Sequence, residues 1–122
     1  MKRYDVSGIY IFDKFPDEEK KQPTCIEDCQ EETRVKWLES LDIEALHKTG
    51  EIILDSIQNL IDLSTDGEDK ISVREILDAS VLEFRNSENK DKAIYAVNEM
   101  CIYLHKLAEY LITEGIIARK ES

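Results

Sequence analysis

Three cysteines and two histidines are the side chains of this 122-residue sequence best suited to ligate a transition metal. Cys25 and Cys29 lie four residues apart, so a helix would place them on one face, and Cys101 follows much later. With His47 or His105 they would supply a zinc site, although structural zinc modules favour a Cys-x-x-Cys turn. Because unpaired cysteines are among the most frequently buried residues, we interpret all three as reduced thiols in the core.

A second candidate metal site lies between residues 64 and 75, where the sequence is Ser-Thr-Asp-Gly-Glu-Asp-Lys-Ile-Ser-Val-Arg-Glu. This segment resembles the calcium loop of the EF-hand family. The resemblance implies calcium ligands at Ser64, Asp66, Glu68, Ser72 and Glu75. It departs from the family pattern because Ser64 replaces the leading aspartate and Asp69 stands where the family has glycine. A polar loop followed by a helix cap is the interpretation that needs no metal, so we predict no cofactor, with calcium as the alternative.

The sequence shows no constellation typical of catalysis. Nucleophilic catalysis needs a serine or cysteine beside a base and an orienting group, and phosphate sites are commonly marked by glycine-rich loops. The four glycines form neither a Gly-x-Ser-x-Gly elbow, nor a P-loop, nor a Gly-x-Gly-x-x-Gly fingerprint. His47, three residues before Gly50, partly resembles the signature of histidine phosphotransfer domains. We interpret it instead as a surface histidine near a glycine that permits close helix packing, and we predict that the protein is not an enzyme.

The charge of the chain is strongly acidic, with 27 Asp and Glu against 16 Lys and Arg and a net charge of −11. The imbalance lies in residues 24–91, which hold 18 acidic and 7 basic residues, whereas residues 1–23 hold five of each. Such a chain lacks the basic surface that neutralises phosphates, so we predict no direct nucleic-acid binding. The acidic segment favours a partner protein with a basic surface.

Membrane insertion and secretion are not indicated by the sequence. No apolar run reaches the roughly 18 residues that a membrane span needs. The N-terminus also lacks an apolar stretch long enough for a signal peptide. Because an odd number of cysteines is typical of thiols that stay reduced, we predict a cytoplasmic location.

The elements that would position these residues fall into an arm and a helical region. Residues 1–23 contain both prolines and an apolar run from Gly8 to Phe12, which indicates an extended arm and linker with a weak strand signal. A single strand must pair in a hairpin, pair with another chain, or pack across helices. Beyond residue 23 there is no proline, and apolar residues recur at helical spacing.

Periodicity and capping signals predict four helices in residues 24–122. The first begins at Thr24, which fits a capping box with Glu27, and the third begins at the same pattern in Ser72 and Glu75. The second helix carries a stripe of Leu46, Gly50, Ile53, Ile57, Leu60 and Ile61. The last begins near Ser87 and carries Ile94, Val97, Cys101, Leu104, Ala108 and Leu111. We therefore predict an all-α fold, a four-helix-bundle-like single domain with an extended, weakly β N-terminal arm.

These features together predict a small, non-enzymatic protein that acts by protein–protein interaction. Inhibitors, immunity proteins and adaptors, including those encoded by phages or mobile elements, share this general composition. The wide apolar face of the last helix and the apolar arm also favour a homo-oligomer, such as a homodimer in which arms pair as strands. The alternative function is a degenerate EF-hand-like calcium-binding helix pair centred on residues 64–75.

Overall fold

The computed structural model describes residues 3–64 and 72–116. Two strands come first, β1 (Tyr10–Asp13) and β2 (Gln22–Cys25), followed by a 3-10 turn at Ile26–Asp28. The helices are α1 (Glu31–Glu39), α2 (Ile43–Ser64), α3 (Val73–Ile76), α4 (Ala79–Leu82) and, after a 3-10 turn at Glu83–Asn86, α5 (Lys90–Thr113). At about 1.5 Å of rise per residue, α2 and α5 are roughly 33 Å and 36 Å long. The fold is mostly helical, with an N-terminal hairpin.

The core lies between the two long helices, which pack against each other, and α1 and the 3-10 turn at Ile26–Asp28 pack against α5. The apolar stripes that the sequence predicts for α2 and α5 are confirmed, because every member of both stripes is buried. Local periodicity is a strong signal here because each helix spans about six turns. None of the helices in residues 3–64 and 72–116 is long and apolar enough to cross a membrane.

The predicted all-α four-helix bundle is wrong. Within the described ranges, only α1, α2 and α5 exceed a single turn, and the predicted third helix is broken into α3, α4 and a 3-10 turn. The helical hydrogen bonds of α3 end where Leu77 N donates to Val73 O, and they restart at Asp78 O, which accepts from Val81 N. After this break the chain directs Phe84 into the core, where its side chain is almost completely buried.

Phe84 packs against α2 at Gly50. A Cβ built on Gly50 would lie 2.3 Å from Phe84 Cε2 and 2.7 Å from Phe84 Cζ, far inside ordinary van der Waals contact. The position therefore requires a residue without a side chain, and the interpretation of Gly50 as a site of close packing is confirmed. The packing joins the broken third segment to the long helix.

The predicted helix start at Thr24 is also wrong. Thr24 belongs to β2, and the β1–β2 register places Thr24 opposite Ile11 and Pro23 opposite Phe12. The pairing continues past the strand, because Ile26 N donates to Ile9 O at 2.8 Å. Backbone pairing with the arm outcompetes the local capping pattern, and β2 crosses the expected arm boundary at residue 23. The strand signal in the arm is confirmed as one half of a hairpin.

The helix α1 begins at Glu31 and takes its N-terminal acceptor from β1 rather than from its own sequence. Asp13 accepts hydrogen bonds from Gln30 N at 2.9 Å and Thr33 Oγ1 at 2.9 Å. A carboxylate at a helix N-terminus is favoured by the helix dipole. Asp13 therefore fixes the hairpin to the start of α1.

Candidate functional site

A group of buried and part-buried polar side chains lies where the N-terminal arm crosses the 3-10 turn and α5. Asp28, 1% exposed, accepts hydrogen bonds from Tyr4 N at 2.7 Å and Asp5 N at 2.9 Å through Oδ2. Its other oxygen, Oδ1, lies 2.8 Å from His105 Nδ1. The Tyr4 hydroxyl donates to Glu109 at 3.0 Å. A histidine oriented by a carboxylate is half of a catalytic arrangement, and it needs a nucleophile beside it.

The neighbouring acid, Glu27, holds the next part of the arm. Its Oε2 accepts from Val6 N at 2.9 Å and Ser7 N at 3.1 Å, and the Ser7 hydroxyl donates to Oε1. Burial raises the pKa of Glu27, although these hydrogen bonds oppose the shift. Two acids that the sequence assigns to the surface charge are thus internal acceptors for consecutive backbone N–H groups of the arm.

The nearby thiols are poor nucleophiles. Burial raises the pKa of Cys25 to about 11 and that of Cys29 to about 12, and it also raises the pKa of Cys101. All three cysteines are buried and free. The thiolate is the form that attacks an electrophile or binds a metal, so these side chains behave as small core residues. The interpretation of the cysteines as reduced core thiols agrees with this geometry.

Asp5, Cys25 and Asp28 form the one group of three potential metal ligands found among the described residues, with ligand atoms within 4.8 Å of one another. Both oxygens of Asp28 already accept hydrogen bonds, and the Cys25 thiol is protonated at neutral pH. The group does not include Cys29, Cys101 or either histidine, so the structure does not assemble the zinc set considered from the sequence. Hydrogen bonds from Tyr4 N and Asp5 N and the contact with His105 thus account for the Asp28 carboxylate without a metal ion.

The two histidines lie in different surroundings. His47 Nε2 is 2.9 Å from Ser87 O, and the ring meets Phe84 edge-on. His47 thus contributes to the packing of the segment before α5, while His105 contacts the arm.

The predicted calcium loop falls only in part within the described residues. Asp66 and Glu68 lie outside them. Ser64 Oγ donates to Ile61 O at 2.7 Å, and Ser72 N donates to Glu75 Oε2 at 2.9 Å. The Ser72 and Glu75 pair therefore makes the contact expected of a helix cap, as in the metal-free interpretation, and the calcium site stays an untested alternative.

A buried arginine near the arm is a residue that sequence reasoning missed. Arg34, 4% exposed, donates to Asn98 Oδ1 at 2.7 Å and to the carbonyl oxygens of Ile26 and Cys29. It borders a cavity of about 220 Å³ together with His105. Its hydrogen bonds tie α1 to α5 and to the 3-10 turn, and no pattern in the sequence distinguishes it from a surface arginine.

The exposed residues of α2 form a continuous stripe, here called the α2 outer face. Its members are Glu44, Lys48, Ile52, Asp55, Asn59, Asp62 and Leu63. Their spacings of four, four, three, four, three and one residues keep all of them within about 100° of the helix circumference, over roughly 28 Å. Lys48 pairs with Glu44 at 3.4 Å, and Asp55 and Asp62 add two further carboxylates to the same stripe. Ile52 is 43% exposed and Leu63 is 57% exposed.

Comparison with protein-family models, with curated proteins and with solved structures gives no match for this chain.

Proposed function

We propose that the protein acts by binding another protein with a basic surface, and that the α2 outer face is the contact. The observation that carries this proposal is the combination of Asp55 and Asp62 with the exposed side chains of Ile52 and Leu63 on one stripe. Apolar side chains supply contact area that leaves water on binding, and carboxylates select and attract a cationic partner. A purely solubilising face would carry charge without large apolar residues.

The hydrogen bonds and burial of the potentially reactive side chains support a non-enzymatic role. Asp28 and His105 are engaged with each other and with the arm, and burial raises the pKa values of the three thiols. These groups stabilise the fold in the described part of the chain. An inhibitor, an immunity protein or an adaptor in the cytoplasm is the class of function that we propose.

Affinity capture with matched variants tests this proposal. The wild-type chain serves as bait against lysate of the source cell at about 50 mM salt, beside D55N/D62N and the control E99Q/E114Q. Both variants remove two negative charges, but the control changes α5 and its C-cap, outside the acidic segment. We expect wild type and E99Q/E114Q to retain the same protein, and D55N/D62N to retain several-fold less.

The captured protein is then purified and its binding measured by calorimetry with the same three baits. A matching loss for D55N/D62N, and for an I52S/L63S variant of the same face, would support the contact. Equal binding by all baits would place the contact elsewhere and contradict the proposal.

A further inference from the structure

The outer edge of β1 exposes backbone groups that have no partner in the described chain. In an antiparallel pair, hydrogen-bonded positions alternate with positions whose N–H and C=O groups point away from the partner strand. Ile26 N donates to Ile9 O, so Ile9 and Ile11 direct their backbone groups toward β2. Tyr10 and Phe12 therefore direct theirs outward. Pro23, which has no N–H to donate, lies opposite Phe12, as this alternation requires.

The open part of this edge is short and bears aromatic side chains. On one side, Lys14 N donates to Asp13 Oδ1 at 2.8 Å, and on the other Ser7 N donates to Glu27 Oε2 at 3.1 Å. Between them, Tyr10 is 55% exposed and Phe12 is 67% exposed on the same face of the strand. An edge with free backbone groups and exposed aromatic residues is a template for another strand.

We propose that a second copy of this chain pairs with β1 edge to edge in antiparallel orientation. With Ile11 on the two-fold axis, Tyr10 of each copy lies opposite Phe12 of the other. Each such pair exchanges two backbone hydrogen bonds, and the two hairpins join into one four-stranded sheet. The side chains form two Tyr–Phe cross-strand pairs on one face, a combination that stabilises antiparallel sheets. The inference is independent of the α2 outer face.

The distribution of charge favours a second copy as the occupant. Residues 1–23 carry five acidic and five basic residues, whereas residues 24–91 carry the whole net charge of −11. Two strongly acidic chains therefore approach with least repulsion through their hairpins, while a basic partner is attracted to the central segment. Because a four-residue strand offers less than the roughly 1,200 Å² of specific stable interfaces, we expect a weak dimer.

Sedimentation equilibrium from about 10 μM to about 1 mM protein measures this association directly, because weak complexes form in that range. We expect the mean mass of the wild-type chain to rise from 14.2 kDa toward twice that value. The variant Y10K/F12K places like charges opposite each other in the proposed register and stays monomeric. Y10K/F12E places opposite charges there and recovers at least tenfold tighter association than Y10K/F12K. The control Y95K/Y110K changes two equally exposed aromatic residues of α5 and dimerises like wild type.

A second readout needs no substitution. Amide hydrogen exchange at Tyr10 and Phe12 slows several-fold as the wild-type concentration rises, while exchange at exposed amides of the β1–β2 connection does not change. A wild-type chain that stays monomeric across the concentration range overturns the proposal. The proposal is also overturned if Y95K/Y110K abolishes association while Y10K/F12K leaves it unchanged. Equal association constants for Y10K/F12K and Y10K/F12E would overturn it as well.

Discussion

Replacing Gly50 with alanine separates helix propensity from tertiary packing in this fold. By propensity alone, the change stabilises a helix by about 1 kcal/mol. The added Cβ, however, would lie 2.3 Å from Phe84 Cε2 and 2.9 Å from Phe84 Cδ2. Since carbon atoms pack at about 3.5–4.0 Å, the buried ring must move by more than about 1 Å.

The expected net effect of Gly50→Ala is a loss of stability. Overpacking a well-filled core costs about 1–3 kcal/mol, and the size of this displacement favours the upper half of that range. After the propensity gain is subtracted, unfolding becomes easier by about 1–2 kcal/mol, a fall in Tm of roughly 4–8 °C for a chain of this length. Urea unfolding followed by far-UV circular dichroism measures the change.

Two further variants give the control for Gly50→Ala. Asn59→Ala lies on the exposed stripe of the same helix and is expected to stabilise by a few tenths of a kcal/mol. The double variant G50A/F84L relieves the clash, so it loses at least about 1 kcal/mol less than the sum of the two single changes. The packing argument is wrong if Gly50→Ala stabilises the protein as Asn59→Ala does. It is also wrong if the stability changes of G50A and F84L simply add in the double variant.

Three other outcomes follow from the buried groups. The three cysteines stay unreactive toward a thiol reagent at pH 8 in the native protein and react in urea, since burial raises their pKa values; rapid native labelling would contradict their placement. Burial opposes ionisation of Asp13, but hydrogen bonds from Gln30 and Thr33 outweigh burial and lower the pKa of Asp13. Asp13 therefore stabilises the fold above its ordinary pKa of about 3.9, and this stabilisation is lost as the pH falls through the lower folded-state pKa. Asp13→Asn therefore destabilises at pH 7 and flattens the loss of urea stability between about pH 5 and pH 2; parallel curves for variant and wild type would refute this assignment. Calorimetric titration with calcium to about 1 mM gives no heat, because the Glu75 carboxylate already caps α3, and a saturable signal would restore the calcium hypothesis.

Local sequence signals predict the parts of this fold that depend on local contacts. The stripes of α2 and α5 repeat over about six turns each, so their spacing alone identifies the helix faces that are buried. The Ser72 and Glu75 contact is also local, and it forms as expected. The start of α5 lies slightly later than the predicted start near Ser87, because Asn89 accepts the hydrogen bond from Lys92 N that caps the helix.

The incorrect predictions concern residues whose conformation is set by distant partners. Thr24 satisfies a capping pattern, but pairing with Ile11 places it in a strand, and a sequence pattern does not reveal that competition. The third helix is interrupted at Asp78, which allows Phe84 to reach Gly50. In both cases, tertiary contacts override a weak local preference.

The candidate site was least accessible to sequence analysis. Glu27 and Asp28 count toward the acidic excess, yet both are buried beneath the arm. Their position between the apolar residues Ile26 and Cys29 is the available signal that they face inward. Arg34 has no comparable signal, because its acceptors come from α5 and from carbonyl groups that only the folded chain brings together.

The central claim, recognition of a basic protein through the α2 outer face, is tested most directly by the association rate of the purified complex as a function of salt. We expect the rate to fall at least about tenfold between roughly 50 mM and 500 mM salt, with a smaller change in the dissociation rate. D55N/D62N lowers the rate at low salt and flattens the salt dependence, and E99Q/E114Q does neither. A salt-independent rate, or one that both variants change equally, contradicts the account.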